Sequence, residues 1–249
     1  MLYQRLYQGF YQRKFFMFLA AVIVALASSI TMTQAASAPT RPDRPAAKTV
    51  EAPVNIAILI QDDLISSVAN EIRVTADFIR SLPKGSRVMV GYITSGSLQV
   101  RQPFTTDLES AARSLRIPIS STAASPYNPY VEVIEAVRKF DASWRGRNAV
   151  LLISDGLDVS RGFDATSAGH TIDLERAMRE ANTRNIAIYS FYAPAVGLSS
   201  ESRLAASYGQ SSLNRISAET GGKAFFQGTG FVTFDPYFSQ LRRALNERS

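Results

Sequence analysis

Residues 54–67 read VNIAILIQDDLISS, a continuous apolar, β-branched run that ends abruptly in two aspartates. A strand that is apolar at every position, rather than at every second one, is covered on both faces. Working outward, the next segment, SSVANEIRVTADFIRSL (66–82), carries Val68, Ile72, Val74, Phe78, Ile79 and Leu82. That is mostly helical spacing, and Pro83 and Gly85 stop it. SRVMVGYI (86–93) and SLQVRQPF (97–104) are strands joined through Ser95-Gly96, which predicts an antiparallel hairpin. LESAARSL (108–115) is a short helix.

Further along, PYVEVIEAVRKF (129–140) is a helix with proline at its start. RNAVLLISD (147–155) is a second buried strand that ends on aspartate. Helix 172–185, strand 186–193, helix 211–222, strand 223–227 and helix 235–247 complete the alternation, with Asp235 and Pro236 opening the last helix. The order predicts an α/β fold: a doubly wound, mostly parallel six-stranded sheet with one antiparallel edge strand and helices on both faces. Ligands of such sheets bind beyond the carboxyl ends of the strands. Asp62-Asp63 and Asp155 fall there.

The pieces IAILIQ-Asp62-Asp63, LLIS-Asp155-Gly156 and SAETGGKAFF, in that order, resemble a von Willebrand factor type A (vWA) domain of the bacterial exported group, over roughly residues 54–248. The resemblance implies a metal ion-dependent adhesion site at the top of the sheet. There an Asp-x-Ser-x-Ser loop, a distant Thr and a distant Asp hold Mg²⁺ or Mn²⁺, and the partner supplies an acidic group. A hard divalent ion wants about six oxygens, and hydroxyl and water ligands leave it electron-poor enough to attract a carboxylate. Carried onto this chain, Asp62 takes the place of the first Asp, Ser66 that of the second Ser, and Asp155 that of the distant Asp. Leu64 stands where the first Ser belongs. Moving the register to Asp63 puts Ile65 there and Ser67 at the second Ser. Either aliphatic removes a ligand and adds apolar bulk beside the ion, so the site is a degenerate one. Tyr127 lies near the place of the distant Thr, with Ser125 and Asn128 close by, and Thr122 fits only if the loop carries an insertion. Without a metal, Asp62 caps helix 66–82 and Asp155 caps its own turn with Gly156.

The function expected is partner binding at the carboxyl edge of the sheet, through Asp63, Tyr127, Asn128, Tyr130 and Asp158. The tyrosines sit among prolines in SSTAASPYNPY (120–130), and stiff aromatics suit binding hot spots; the alternative is that Tyr130, and with it Tyr127, packs on the sheet. Segments 157–170 and 194–210 read as long loops flanking the same edge. The partner expected is another protein. Two readings stand beside this one: a Mg²⁺-dependent phosphate-processing enzyme using Asp62, Asp63 and Asp155, and a metal-free structural module of the envelope.

Composition narrows the chemistry. The 249 residues hold no cysteine and one histidine, His170, which excludes disulfides, thiolate sites and multi-histidine centres. No G-x-S-x-G, G-x-x-x-x-G-K-[ST] or strand-borne G-x-G-x-x-G occurs, and His170 reads as a surface loop residue. Residues 1–14 carry Arg5, Arg13 and Lys14, and residues 15–27 (FFMFLAAVIVALA) are an apolar run of 13. With Thr33 and Ala35 as the small pair before a cut, residues 1–35 read as a secretory signal peptide. The alternative is an uncleaved N-terminal anchor, for which 13 apolar residues are few against the ~20 of a full span. Residues 36–53 form a Pro/Ala-rich linker and 54–249 the vWA-like domain, placed in the periplasm or secreted. Without 1–35 the 27 basic residues fall to 24 against 21 acidic, a net of +3 in place of +6. That balance does not point to nucleic acid. The membrane enters only through the N-terminal segment.

Overall fold

The computed structural model describes residues 52–144, 146–163 and 171–247. The expected signal peptide, all of the linker but Ala52 and Pro53, and His170 lie outside the described residues. The sheet is built from β1 (Val54–Gln61), β2 (Arg87–Thr94), β3 (Ser97–Thr105), β4 (Arg147–Ser154), β5 (Ile186–Tyr192) and β6 (Ala224–Phe225). Their order is β3-β2-β1-β4-β5-β6, with only the β2–β3 pair antiparallel. The strand order reverses between β1 and β4, so the ends of these two strands flank the switch point where ligands of open α/β sheets sit.

Among the described residues seven α-helices pack around it: α1 (Glu71–Arg80), α2 (Leu108–Arg113), α3 (Pro129–Arg138), α4 (Ile172–Thr183), α5 (Leu198–Glu201), α6 (Arg203–Glu219) and α7 (Asp235–Glu247). The period of two in β1 divides the core. Ile56, Ile58 and Ile60 face a layer with Phe78, Ile79 and Leu241, whereas Ala57 and Leu59 face Val133, Leu174, Leu213 and Ile216. Each fully buried aliphatic contributes roughly 1.5–3 kcal/mol relative to exposure. Phe191 centres an aromatic cluster, with Phe225, Phe234 and Tyr237 at 5.4 Å and Phe238 at 4.9 Å between ring centroids. Glu71, buried at the start of α1, accepts the Phe234 N–H at 2.7 Å and so pins the entry to α7.

Two elements differ from the sequence reading. The expected helix 66–82 opens as a 3-10 turn, Ser66–Asn70, and becomes α-helical only at Glu71, because neither Ile65 nor Asn70 offers a side-chain cap. Most of the expected loop 194–210 is helical: α5 lies in it, and α6 starts eight residues before the expected helix 211–222, with Ser202 capping it by accepting Ala205 N–H at 3.3 Å. The run of small residues in α6 looks like loop composition but has a packing cause. A Cβ at Gly209 would lie 1.9 Å from the Asp155 carbonyl oxygen, so this helix packs backbone to backbone against the turn after β4.

Candidate functional site

Alternation at the end of β1 decides which acid does what. Gln61 and Asp63 line one cavity, while the buried Asp62 is turned to other partners. Both Asp62 oxygens are held by Arg116, at 2.6 and 2.7 Å, and Oδ1 also accepts Ile119 N–H at 3.1 Å. Arg116 lies 4.0 Å from the Tyr92 ring centroid, and the Tyr92 hydroxyl both accepts from Arg116 N (2.7 Å) and donates to its carbonyl (2.5 Å). Asp62 therefore anchors the loop after α2. It neither shares a cavity with Asp155 nor caps the helix that follows.

The cavity, of about 280 Å³, lies over the ends of β1 and β4. Asp63 and Asp155 both line it, with Thr122, Ser125 and Ser199 around them. Gln61 ties the two strand ends together: its amide nitrogen donates to Asp63 Oδ1 at 2.8 Å, and its carbonyl oxygen accepts from Ser154 Oγ and, at 3.3 Å, from Asp155 N–H. Asp155 also caps its own turn, accepting Leu157 N–H at 3.1 Å. Burial, and after it the Asp63 carboxylate, pushes the Asp155 carboxyl up to about 6. Burial raises Asp63 too, against hydrogen bonding from Gln61 and Ser125. Burial and mutual repulsion thus disfavour the charged form of both acids around one cavity, which a bound cation would relieve.

The other expected residues divide clearly. Ser66 is exposed on the 3-10 turn and does not line the cavity. Leu64 is fully buried in the core, bridged to Ala195, so it adds no bulk to the cavity. Asn128 is spent structurally: it caps α3 by accepting Tyr130 N–H at 3.1 Å and donates to Asp173 at 2.9 Å. Tyr130 is a core residue, 1% exposed, whose hydroxyl donates to the Gly156 carbonyl at 2.6 Å. Asp158 caps its own turn through Ser160 N–H (3.1 Å) and Oγ (2.6 Å). Of the expected partner-binding residues only Tyr127 is presented outward, 56% exposed at the cavity rim, with a φ of +56°. Sequence reasoning missed Gln61, Ser199 and Arg116. Gln61 was findable, since a polar side chain sharing the parity of Asp63 must share its face.

A hard divalent ion is a chemical fit to this donor set. Asp63 and Asp155 would supply carboxylate oxygens and Ser125 a hydroxyl, all ligands of the type Mg²⁺ and Mn²⁺ prefer. Among the described residues no group of three or more His, Cys, Asp or Glu side chains converges, so such an ion would rest on two carboxylates.

The architecture is that of vWA domains. No family model matches the sequence, and no curated protein matches it. Solved structures do. An aerotolerance-related membrane protein from Bacteroides fragilis is similar with a TM-score of 0.54 and 14% identity, over 79% of this chain and 99% of that one. BatB from Bacteroides thetaiotaomicron gives 0.53 and 15%, over 79% and 98%. A von Willebrand factor type A protein from Catenulispora acidiphila gives 0.51 and 16%, over 78% of this chain and 42% of that one. At these identities the likeness establishes the fold.

Proposed function

We propose that this domain binds a protein partner at the carboxyl edge of its sheet, on the exported side of a bacterial membrane, without catalysing a reaction. The observation that carries the reading is the cavity over Asp63 and Asp155, rimmed by the outward-facing side chains of Tyr127 and Leu198. Ile117 and Ile119, 58% and 59% exposed, extend apolar surface along the loop that Arg116 holds. A rigid apolar and aromatic rim around a buried charged floor is the composition of a binding hot spot. Mg²⁺ or Mn²⁺ on Asp63, Asp155 and Ser125 would neutralise that anionic floor, and its open coordination positions would take an acidic residue of the partner. Among the described residues no helix is long and apolar enough to cross a membrane. Any anchoring in this reading rests on residues 1–35.

Two experiments test the reading. A photoreactive amino acid in place of Tyr127 should give a discrete crosslinked species in the native cell, and one in place of Lys84 should not. Mn²⁺ titrated calorimetrically into the full chain should bind, and D155N should abolish the heat. No Tyr127-specific adduct would end the partner-binding reading. No heat from the wild type would end the metal part alone.

A further inference from the structure

A second cavity, of about 580 Å³, opens at the opposite edge of the sheet, where β1, β4 and β5 begin. Pro53, Trp144, Arg147, Asn148 and Tyr189 line it, with Leu245 of α7, and among the described residues none of its lining side chains is acidic. Its volume lies in the range of small-molecule sites, roughly 300–1,000 Å³.

The polar groups at this cavity are unbalanced. Arg147 spends one guanidinium nitrogen on the Ala52 carbonyl, while its Nε and Nη1 are buried without a hydrogen-bond partner. Trp144, another residue lining the cavity, likewise has its indole N–H buried and unpartnered. Buried donors without acceptors are rare and destabilising, and more so on a charged group. A Cβ at Gly146 would lie 2.6 Å from Trp144 Nε1, so a side chain there would displace the indole from its present place. A delocalised cation, a neutral N–H donor and an aromatic plane together complement an oxyanion carried on a flat or apolar body.

We propose that this cavity binds a small organic oxyanion, a carboxylate or a phosphate ester, with Arg147 as its counter-ion and the Trp144 N–H as a second donor. The site is separate from Asp63 and Asp155 and does not depend on their role.

Trp144 is the only tryptophan of the chain, so its fluorescence reports this cavity directly. The full chain is titrated with benzoate and, separately, with phenyl phosphate, against sodium chloride at matched ionic strength. At least one of the two should give a saturable change that chloride does not. R147Q should weaken it at least tenfold, R147K less so, and D155N should leave it unaltered. Saturation by benzoate alone assigns a carboxylate, by phenyl phosphate alone a phosphate ester, and by both the shared oxyanion. If R147Q melts too low to titrate, G146A takes its place, since it displaces the indole with Arg147 intact and should also weaken binding. No saturable change with either anion, or an unaltered Kd in the variant titrated, overturns the proposal.

Discussion

Arg116 closes a two-point ion pair on Asp62, Nη1 to Oδ1 at 2.6 Å and Nη2 to Oδ2 at 2.7 Å, around a carboxylate with no exposed surface. The planar fork of the guanidinium matches the carboxylate, and the Tyr92 ring lies against it, with its centroid at 4.0 Å. Removing one partner leaves the other charge buried and unmatched. R116A should therefore lose about 3–5 kcal/mol in urea unfolding, and the D62N/R116Q pair should recover a good part of that loss. A loss within ~0.5 kcal/mol, the range of an ordinary surface substitution, would mean the pair is not what holds the loop.

Glu71 carries a comparable task on the same face of the sheet, since its carboxylate meets the Phe234 N–H and fixes where α7 begins. E71A should cost about 1–3 kcal/mol, the penalty for stranding a buried donor. Because α7 buries Tyr237, Phe238, Leu241 and Leu245, the loss should come with earlier proteolytic cleavage near residue 234. Unchanged proteolysis would place the cost elsewhere.

Glu132 predicts a pH dependence. It is 4% exposed, its Oε2 has no hydrogen-bond partner, and burial pushes its carboxyl up to about 7 from an ordinary 4.5. The folded protein thus holds a proton that the unfolded chain releases. Stability from this group is whole below the unfolded value and falls as pH climbs towards 7, then levels off. E132Q removes that decline. It should match the wild type at about pH 4.5 and exceed it at about pH 8 by up to ~3 kcal/mol. Parallel melts at the two pH values decide it, and equal pH slopes would refute the assignment.

Much of this fold was legible in the sequence because strands covered on both faces are apolar at every position, as in VNIAILIQ and AVLLIS. The hairpin, the parallel order and the last helix followed from the same patterning and from Asp235-Pro236. The site was less legible, because the parity of one residue decided it. A reading anchored on Asp62 assigns the metal to a carboxylate that Arg116 holds, and the partner of Asp62 is 54 residues away in sequence. Asp155 was readable from its place after a buried strand. For Tyr130 the sequence leaves both partner contact and packing on the sheet open, and the structure takes the second: Asn128 caps α3 and Tyr130 packs inward. Helix α6 was read short because close backbone packing and loop composition both call for small residues.

That close packing gives the last prediction. Helix α6 meets the turn after β4 at two glycines: a Cβ on Gly209 would lie 1.9 Å from the Asp155 carbonyl oxygen, and one on Gly156 2.4 Å from the Gly209 carbonyl oxygen. In an exposed helix interior, Gly to Ala gains about 1 kcal/mol. Here the new methyl meets backbone on the opposing side, which cannot rotate out of the way, so the overpacking cost of ~1–3 kcal/mol outweighs the gain. G209A should therefore melt below the wild type, whereas G228A, whose Cβ would meet nothing within 4 Å but whose φ is +64°, should suffer only the local cost of that backbone angle. The displacement falls on the residue that supplies the buried carboxylate, so G209A should also weaken Mn²⁺ binding, although it touches no cavity-lining side chain except Leu157. If the melting point falls while the Mn²⁺ isotherm stays unaltered, the turn yields without moving the Asp155 carboxylate, and α6 supports the fold but does not set the geometry of the site.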